Sequence, residues 1–366
     1  MADRKNQHFV PQFYFRLFST TGKTICTLLT RSGKIIPSAA IKHQCARNNF
    51  YGSKELESLF NKLEDRHSSA IRAALDIAWN RDADFFSSEE WASLLEAVIF
   101  QRSRTALEVQ KHQPAQEKMI LEMFKHHLRI TSNAENLDEI IRHIDAGNVH
   151  VTEKPEAVIA RHVSIGLENV SAITDLRFCL LRNRTDYPFI FSDAPVVFHN
   201  SYCKNVRNRG VLGLQCPGLQ ILFPLNSQTA ALFFDGDKYQ CTFGDYIQHD
   251  VVLRSDVSQL NALQLHHSLN AAYFGHIDHQ DYVRDLWNTH RCKLTVPKSE
   301  FRVGEDFLID GERPNGELLH GFEPQLDFDL GLSFIKTTPI EQHEYVYAPR
   351  NANLRESLNA SAVVHV

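Results

Sequence analysis

The chain has 366 residues, 43% hydrophobic and 23% charged, an ordinary globular balance with length for one large domain or two medium ones. A formal net charge of -5 argues against polyanion binding over the whole surface but leaves a local basic patch open. The seven cysteines, odd in number and without a CxxC pair, argue against a disulfide framework and a Cys-rich zinc site.

No apolar run approaches the roughly 18 residues that span a bilayer, and the first twenty residues hold no signal-peptide core. A reduced, cytoplasmic protein with no membrane association is the expectation. With 24 Phe against 3 Met, the core is expected to combine strands with helix–sheet layers.

The chain opens with NQHFVPQFYFRLFS, in which His8, Gln12 and Tyr14 lie among residues that favour burial. Pro11 biases Val10 towards an extended conformation, so His8 is expected on a stiff segment. ICTLLTRSGKII then reads as a β-hairpin turning at Arg31–Lys34. Leu56, Leu59, Phe60, Leu63, His67, Ala70, Ile71, Ala74, Leu75 and Ala78 recur at helical spacing and define one apolar face. Ser87-Ser88-Glu89-Glu90 starts the next helix, a Ser cap before acids that suit the positive end of the helix dipole. Its apolar face is Trp91, Leu94, Leu95, Val98 and Ile99. Pro114 predicts a break or kink, with further helices to about residue 175.

The period then falls to two. FCLLRN, YPFIFSDAPVVF, LQILFPL and TAALFFD read as short strands, and Asp235-Gly236-Asp237 as a tight turn into KYQCTF. VSQLNALQLHHSLNAAYFG returns to a helical period, with Gly275 as its C-cap. The expected class is α+β: an N-terminal β-hairpin, a helical block over about 54–175, an antiparallel or mixed β block over about 176–250, and a closing helix over about 256–275. Residues 1–291 would form a single domain, with 292–366 an irregular C-terminal extension of short strands ending in a mobile tail.

Four stretches place polar groups in buried-looking settings: His8, Gln12 and Tyr14; Glu64-Asp65 at the edge of the first long helix; FQRSRT with Gln101, Arg102 and Arg104; and Ser192-Asp193 inside an apolar strand. Each alone has an ordinary structural explanation. Ser-Asp before Ala-Pro is commonly a turn, adjacent acids are commonly a solvated helix edge, and His8 is compatible with a satisfied core imidazole. His266, His267, His276 and His279, with Asp278, carry no HExxH order and fall across the expected helix end. Lys204, Arg207 and Arg209 form a short basic loop that could meet phosphate. GxxxxGK[ST], GxGxxG and GxSxG are all missing, which removes the usual support for simple nucleotide-binding and serine-hydrolase readings.

The order His8–Phe18 (HxVPxxYxxxF), Phe50-Tyr51, Gln101–Thr105, Ser192–Val197 and Phe223–Leu225 resembles the bacterial family known as domain of unknown function 4238, over roughly residues 5 to 275. The helix around Asn261 fits its closing element. Phe15 stands where the family usually has Leu, and Ala194 where it commonly has Asn, which removes an amide beside Asp193. Members look like bacterial and phage-associated accessory proteins, a setting in which antiviral or toxin-like effectors are frequent. The resemblance associates His8, Gln12 and Tyr14 with an acid on the first long helix, with Gln101 and Arg104, and with Asp193.

The leading expectation is a hydrolase acting on nucleic acid or a nucleotide, a nuclease-like effector with its site in a cleft between helical and β blocks. His8 would be general base or acid, with Gln12 and Tyr14 beside it, Arg104 stabilising phosphate charge and Gln101 orienting it. Asp193 and Glu64 or Asp65 would hold Mg²⁺ or Mn²⁺, and Arg102, Lys204, Arg207 and Arg209 would contact substrate. No PD…ExK pattern supports a metal nuclease, so metal-free cleavage by His8 is equally compatible. The alternative is a non-catalytic module binding a small ligand or partner in the same pocket. A third reading makes the motifs fold markers only. Sequence alone leaves the oligomeric state open.

Overall fold

The computed structural model of the protein describes residues 6–52, 54–80, 85–132, 135–207, 209–304, 318–346 and 348–350. The expected mobile tail, the last fifteen residues, lies outside them.

The chain enters as strand β1 (Asn6–His8), turns at Pro11, and forms helix α1 (Gln12–Phe18). His8 is therefore on an extended segment, but the aromatic run after it is helical. Its spacing puts Tyr14, Phe15 and Phe18 into the core. The hairpin follows as β2 (Thr24–Leu29) and β3 (Lys34–Ala40). Gly33 takes φ +69° in its turn, where a side chain would also collide with the Trp287 ring. Strand β4 (Ala46–Asn48) pairs antiparallel with β1, His8 opposite Ala46.

The helical block comprises α2 (Lys54–Trp79), α3 (Ser88–Ser103), α4 (Ala106–Thr131), α5 (Leu137–Asp145) and α6 (Pro155–Glu168). On α2 the expected stripe is buried at Phe60, Leu63, His67, Ala70, Ile71, Ala74 and Ala78, but Leu59 is exposed. Helix α3 begins with a capping box. Ser87 Oγ accepts from the Glu90 amide at 3.2 Å, and Glu90 accepts from the Ser87 amide at 2.8 Å. The expected break at Pro114 does not occur; α4 runs through it. Pro114 and Gln110 are both exposed, so the carbonyl left without its amide partner faces solvent.

The β block contains β5 (Arg177–Asn183), β6 (Phe191–Ser192), β7 (Val197–His199), β8 (Gln220–Asn226), β9 (Thr229–Phe234), β10 (Gln240–Cys241) and β11 (Gln248–Val251). Five form a mixed sheet in the order β11-β5-β9-β8-β7, in which only the β11–β5 pairing is parallel. YPFIFSDAPVVF yields two short strands in different sheets, separated by the turn at Ser192–Pro195. Asp235 does make the expected turn, its carboxylate accepting from the amides of Gly218 at 2.7 Å and Asp237 at 3.0 Å.

The expected closing helix is corrected. Helix α7 (Arg254–His266) stops nine residues before Gly275, and Ala271–Phe274 form strand β12. An apolar run such as AAYF suits either conformation, and tertiary pairing decides: β12 bonds to β2 on one side and β6 on the other, in the order β3-β2-β12-β6. Gly275 is no helix cap; a Cβ there would lie 2.5 Å from the Phe18 carbonyl. Helix α8 (Gln280–His290) then packs on the hairpin, its Trp287 indole donating to the Thr30 carbonyl at 2.7 Å.

Beyond residue 292, β13 (Glu300–Gly304) and β14 (Leu318–Phe322) pair with each other, and β15 (Ile335–Lys336) pairs with β10. Leu330, Leu332, Phe334 and Ile335 share a core cluster with Leu181, Leu222 and Leu232. Each such buried side chain contributes about 1.5–3 kcal/mol. The fold is α+β. Its largest core runs between α1, the helical block and the two main sheets, where Tyr14 stacks on Phe223 at 5.3 Å and Phe15 meets Tyr273 edge-on at 4.8 Å.

Candidate functional site

A groove of about 820 Å³ opens between α2 on one side and β1, α1 and the short turn Ile41–His43 on the other. From α2 come Glu57, Asn61, Glu64, Asp65, Ser68 and Arg72. Steps of three and four residues put these on one face, beside the apolar stripe that buries the helix. The opposite wall carries His8, Gln12, Arg16, Lys42 and His43. Gln12 and Arg16 are one helical turn apart, and the Arg16 guanidinium donates to Gln12 Oε1 at 3.1 Å.

His8 is half-buried. Its imidazole donates to the Lys42 main-chain carbonyl, and Nε2 lies 3.4 Å from the Gln12 amide nitrogen. A neutral ring that donates through one nitrogen offers a lone pair at the other. Burial lowers the His8 pKa below its usual 6.5; the carbonyl bond and Glu64 work against this, and Arg104 and Arg16 work with it. At neutral pH the ring is therefore an uncharged base.

The strand that carries His8 is clamped from behind. Gln101 donates to the Phe9 carbonyl at 2.9 Å, and Arg104 donates to the His8 carbonyl. Their i,i+3 spacing on the end of α3 lets two side chains take two successive carbonyls. The Tyr51 hydroxyl donates to the same His8 oxygen at 2.8 Å and receives Arg104 Nε at 2.9 Å. Arg104 Nη1 also holds Glu64 at 2.6 Å. Burial disfavours the Arg104 charge, yet Tyr51 and Glu64 more than offset this, and its pKa is raised. Gln7 completes the frame, accepting from the Tyr51 amide at 2.7 Å and donating to Glu57 at 3.1 Å.

Of the residues singled out in the sequence, His8, Gln12, Glu64, Asp65 and Arg104 line this groove, and Gln101 supports it from the core. Tyr14 does not reach it; its hydroxyl donates to the Pro224 carbonyl inside the aromatic core. Asp193 is also elsewhere. Its two carboxylate oxygens accept from the amides of Leu269 and Asn270, each at 2.8 Å, and tie the Ser192–Pro195 turn to the start of β12. Burial pushes its pKa up to about 6 while those amides pull it down. Arg102, Lys204, Arg207 and Arg209 do not line the groove either. Lys204 pairs with Asp329 at 3.1 Å, and Arg207 donates to the Lys204 carbonyl at 2.8 Å.

The metal set Glu64, Asp65 and Asp193 is thus not assembled: Asp193 serves backbone amides and Glu64 serves Arg104. The histidines of the 266–279 stretch do not gather either. His266 faces His290 at 3.1 Å, His267 accepts from Arg102 while donating to the Ala194 carbonyl at 3.0 Å, and His276 meets Asp278 at 3.1 Å.

Among the described residues, the one group with ligand atoms close enough for a single ion is Glu108, His112 and Glu323, within 4.8 Å of one another. Its carboxylates already have cations. Lys111 Nζ lies 2.5 Å from Glu108 and 2.8 Å from Glu323, and Arg102 lies 3.1 Å and 2.8 Å from the same two. Two acids and two bases balance, and Arg102 and Lys111 hold the Glu108 carboxyl well below the usual range despite its burial.

Sequence reasoning missed Arg16, Lys42, His43 and Arg72 in the groove, and Gln7 behind it. The polar stripe at 57, 61, 64, 68 and 72 was a usable signal for one wall. Nothing local marks Lys42 or His43, because the turn that presents them is placed by the β1–β4 pairing.

No described helix is long and apolar enough to cross a membrane. No curated protein and no solved structure shows a significant match to the chain. A family model does match, over residues 6–277, which takes in the groove, its clamp and both main sheets, and the chain belongs to the family described as protein of unknown function (DUF4238).

Proposed function

We propose that the groove binds a phosphorylated ligand, a nucleotide or nucleic acid, and that the protein hydrolyses its phosphoester with His8 as general base. The observation that carries this is the pairing of an uncharged imidazole with cations free of acids. No carboxylate of the described residues pairs with Arg16, Lys42 or Arg72, all of which line the groove around His8. Such cations suit phosphate oxygens, and a half-buried imidazole titrating below 6.5 suits proton abstraction at neutral pH. Arg104, its charge balanced by Glu64, contributes by fixing the strand that carries His8.

The carboxylates on the groove wall are largely committed, Glu64 to Arg104 and Glu57 to Gln7. The reading is therefore of a reaction in which guanidinium and ammonium groups, with no Mg²⁺ or Mn²⁺ bound by Glu64, Asp65 and Asp193, balance the phosphate charge. In a bacterial cell such an activity would act as a nuclease-like effector in antiviral defence or toxicity.

The test compares wild type with His8→Ala and His8→Asn, matched for unfolding midpoint, on RNA, DNA, tRNA and mononucleotides with EDTA, Mg²⁺ or Mn²⁺. Cleavage by wild type in EDTA, lost in both variants, supports the proposal. Cleavage only with added metal moves the chemistry to an ion site. Binding without turnover by any of the three makes the groove a recognition pocket.

A further inference from the structure

We infer that the substrate is single-stranded RNA, and that His8 and His43 form a proton-transfer pair that cleaves it through its own 2′-hydroxyl. This rests on the phosphoester-hydrolase reading and narrows it to a substrate class and a second catalytic residue.

Phosphodiester cleavage needs an oxygen nucleophile, and in metal-dependent sites clustered carboxylates supply it by holding an ion that ionises water. Among the described residues no such cluster lies in this groove. What faces the reacting space is the His8 imidazole, with the Gln12 amide 3.4 Å from its Nε2, and cations without carboxylate partners beside the wall acids Glu57, Glu64 and Asp65. That set suits a substrate carrying its nucleophile next to the phosphorus, and the 2′-hydroxyl of RNA is such a group.

Lys42 gives its carbonyl to the His8 imidazole, and the next residue, His43, is exposed and lines the same groove. The hydrogen bond that orients one imidazole therefore fixes the backbone that presents the other. Intramolecular transfer at phosphorus needs a base at the attacking oxygen and an acid at the departing one, on different sides of the phosphate. One imidazole on β1 and one on the Ile41–His43 turn, both lining the groove, offer such a pair.

The step balances without a co-reactant. His8 Nε2 takes the 2′-hydroxyl proton as the 2′-oxygen–phosphorus bond forms, the phosphorus–5′-oxygen bond breaks, and His43 gives a proton to the departing 5′-oxygen. The products are a 2′,3′-cyclic phosphate and a 5′-hydroxyl. The partly exposed Phe13 ring on the groove wall offers a stacking face for an unpaired base, the usual mode for single strands.

The experiment gives the full chain one mixed sequence as RNA, as DNA and as 2′-O-methyl RNA, all in EDTA, and reads product ends by mass spectrometry. RNA cleavage to cyclic phosphate and 5′-hydroxyl ends, with the other two intact, is the expected result. His8→Ala and His43→Ala each reduce it about 10²-fold or more. His43 is exposed, so its variant reports on chemistry even where the His8 variant folds poorly. Cleavage of DNA, or RNA products ending in 5′-phosphate, overturns the 2′-hydroxyl route and leaves the hydrolase reading standing. Full activity of His43→Ala overturns the pair. No cleavage of RNA, DNA or mononucleotides under any condition removes the hydrolase reading itself.

Discussion

The guanidinium of Arg104 donates to the main-chain carbonyl of His8, so the candidate base is held by a residue 96 positions away that never touches its imidazole. The same side chain spans Tyr51 at 2.9 Å and Glu64 at 2.6 Å and packs over the Phe100 ring at 4.6 Å. Three acceptors around one planar fork suit Arg and not Lys, whose single ammonium reaches fewer of them. Arg104→Leu is expected to destabilise the protein by about 3 kcal/mol, the lower end for a broken buried pair because Glu64 is partly exposed. Arg104→Lys should recover only part of that, and both should lower any His8-dependent activity further than stability accounts for. Urea unfolding with parallel assays decides. An Arg104→Leu protein as stable as wild type would show that the clamp contributes nothing.

Asp193 makes a structural prediction. Both its carboxylate oxygens accept main-chain N–H groups, so an amide in its place must turn an NH₂ towards a donor. Asp193→Asn is expected to cost about 1–3 kcal/mol although it conserves shape. With matched folded fractions, groove-dependent activity should be unchanged, since Asp193 does not line the groove. Selective loss of activity at full stability would return Asp193 to the site.

How much was legible in the sequence follows how local each feature is. The α3 capping box, the β2–β3 hairpin and the strands at 220–226 and 229–234 are set by residues within a few positions of one another, and period and turn chemistry reveal them. Ala271–Phe274 were not legible. Four apolar residues after a helix are equally good helix or strand, and only the edges of β2 and β6, far away in the chain, choose. For the groove, composition marked His8, Gln12, Glu64 and Arg104 as polar groups in apolar company, and the order of the family motifs grouped them. Neither could tell that Arg104 binds the carbonyl of His8 and not its ring, or that Tyr14 turns away to Pro224. Arg102 illustrates the limit: its acids lie six residues on, at Glu108, and 221 residues on, at Glu323, and no spacing rule connects them.

That network yields a coupling prediction. Glu323, partly buried, brings a second carboxylate to Arg102 and Lys111, and its loss leaves two cations sharing Glu108. Glu323→Gln is expected to cost about 3–5 kcal/mol. Adding Lys111→Met removes the surplus charge, so the double variant should be more stable than the Glu323→Gln protein. A double-mutant cycle in urea measures the interaction, and strict additivity would mean that these charges are not coupled.

The last prediction concerns acid. His199 is buried on β7 with neither ring nitrogen hydrogen-bonded, and burial lowers its pKa to about 4; His267 falls to about 3 through burial and the adjacent Arg102. In the unfolded chain both titrate near the ordinary value of about 6.5. Below that pH the unfolded state binds protons that the folded state refuses. Stability is therefore full above 6.5 and falls as pH drops towards 4, each histidine contributing about 1.4 kcal/mol per pH unit. The two differ in what replacement does. His267 is a partner of Arg102, so its removal leaves a buried guanidinium short of an acceptor and destabilises at every pH. His199 has no partner to strand. His199→Leu should be neutral or stabilising at pH 7, and its advantage over wild type should grow by about 2 kcal/mol between pH 6.5 and pH 5. Urea midpoints at pH 7 and pH 5 measure this directly, and an advantage that stays constant would assign the acid sensitivity to the other buried imidazoles.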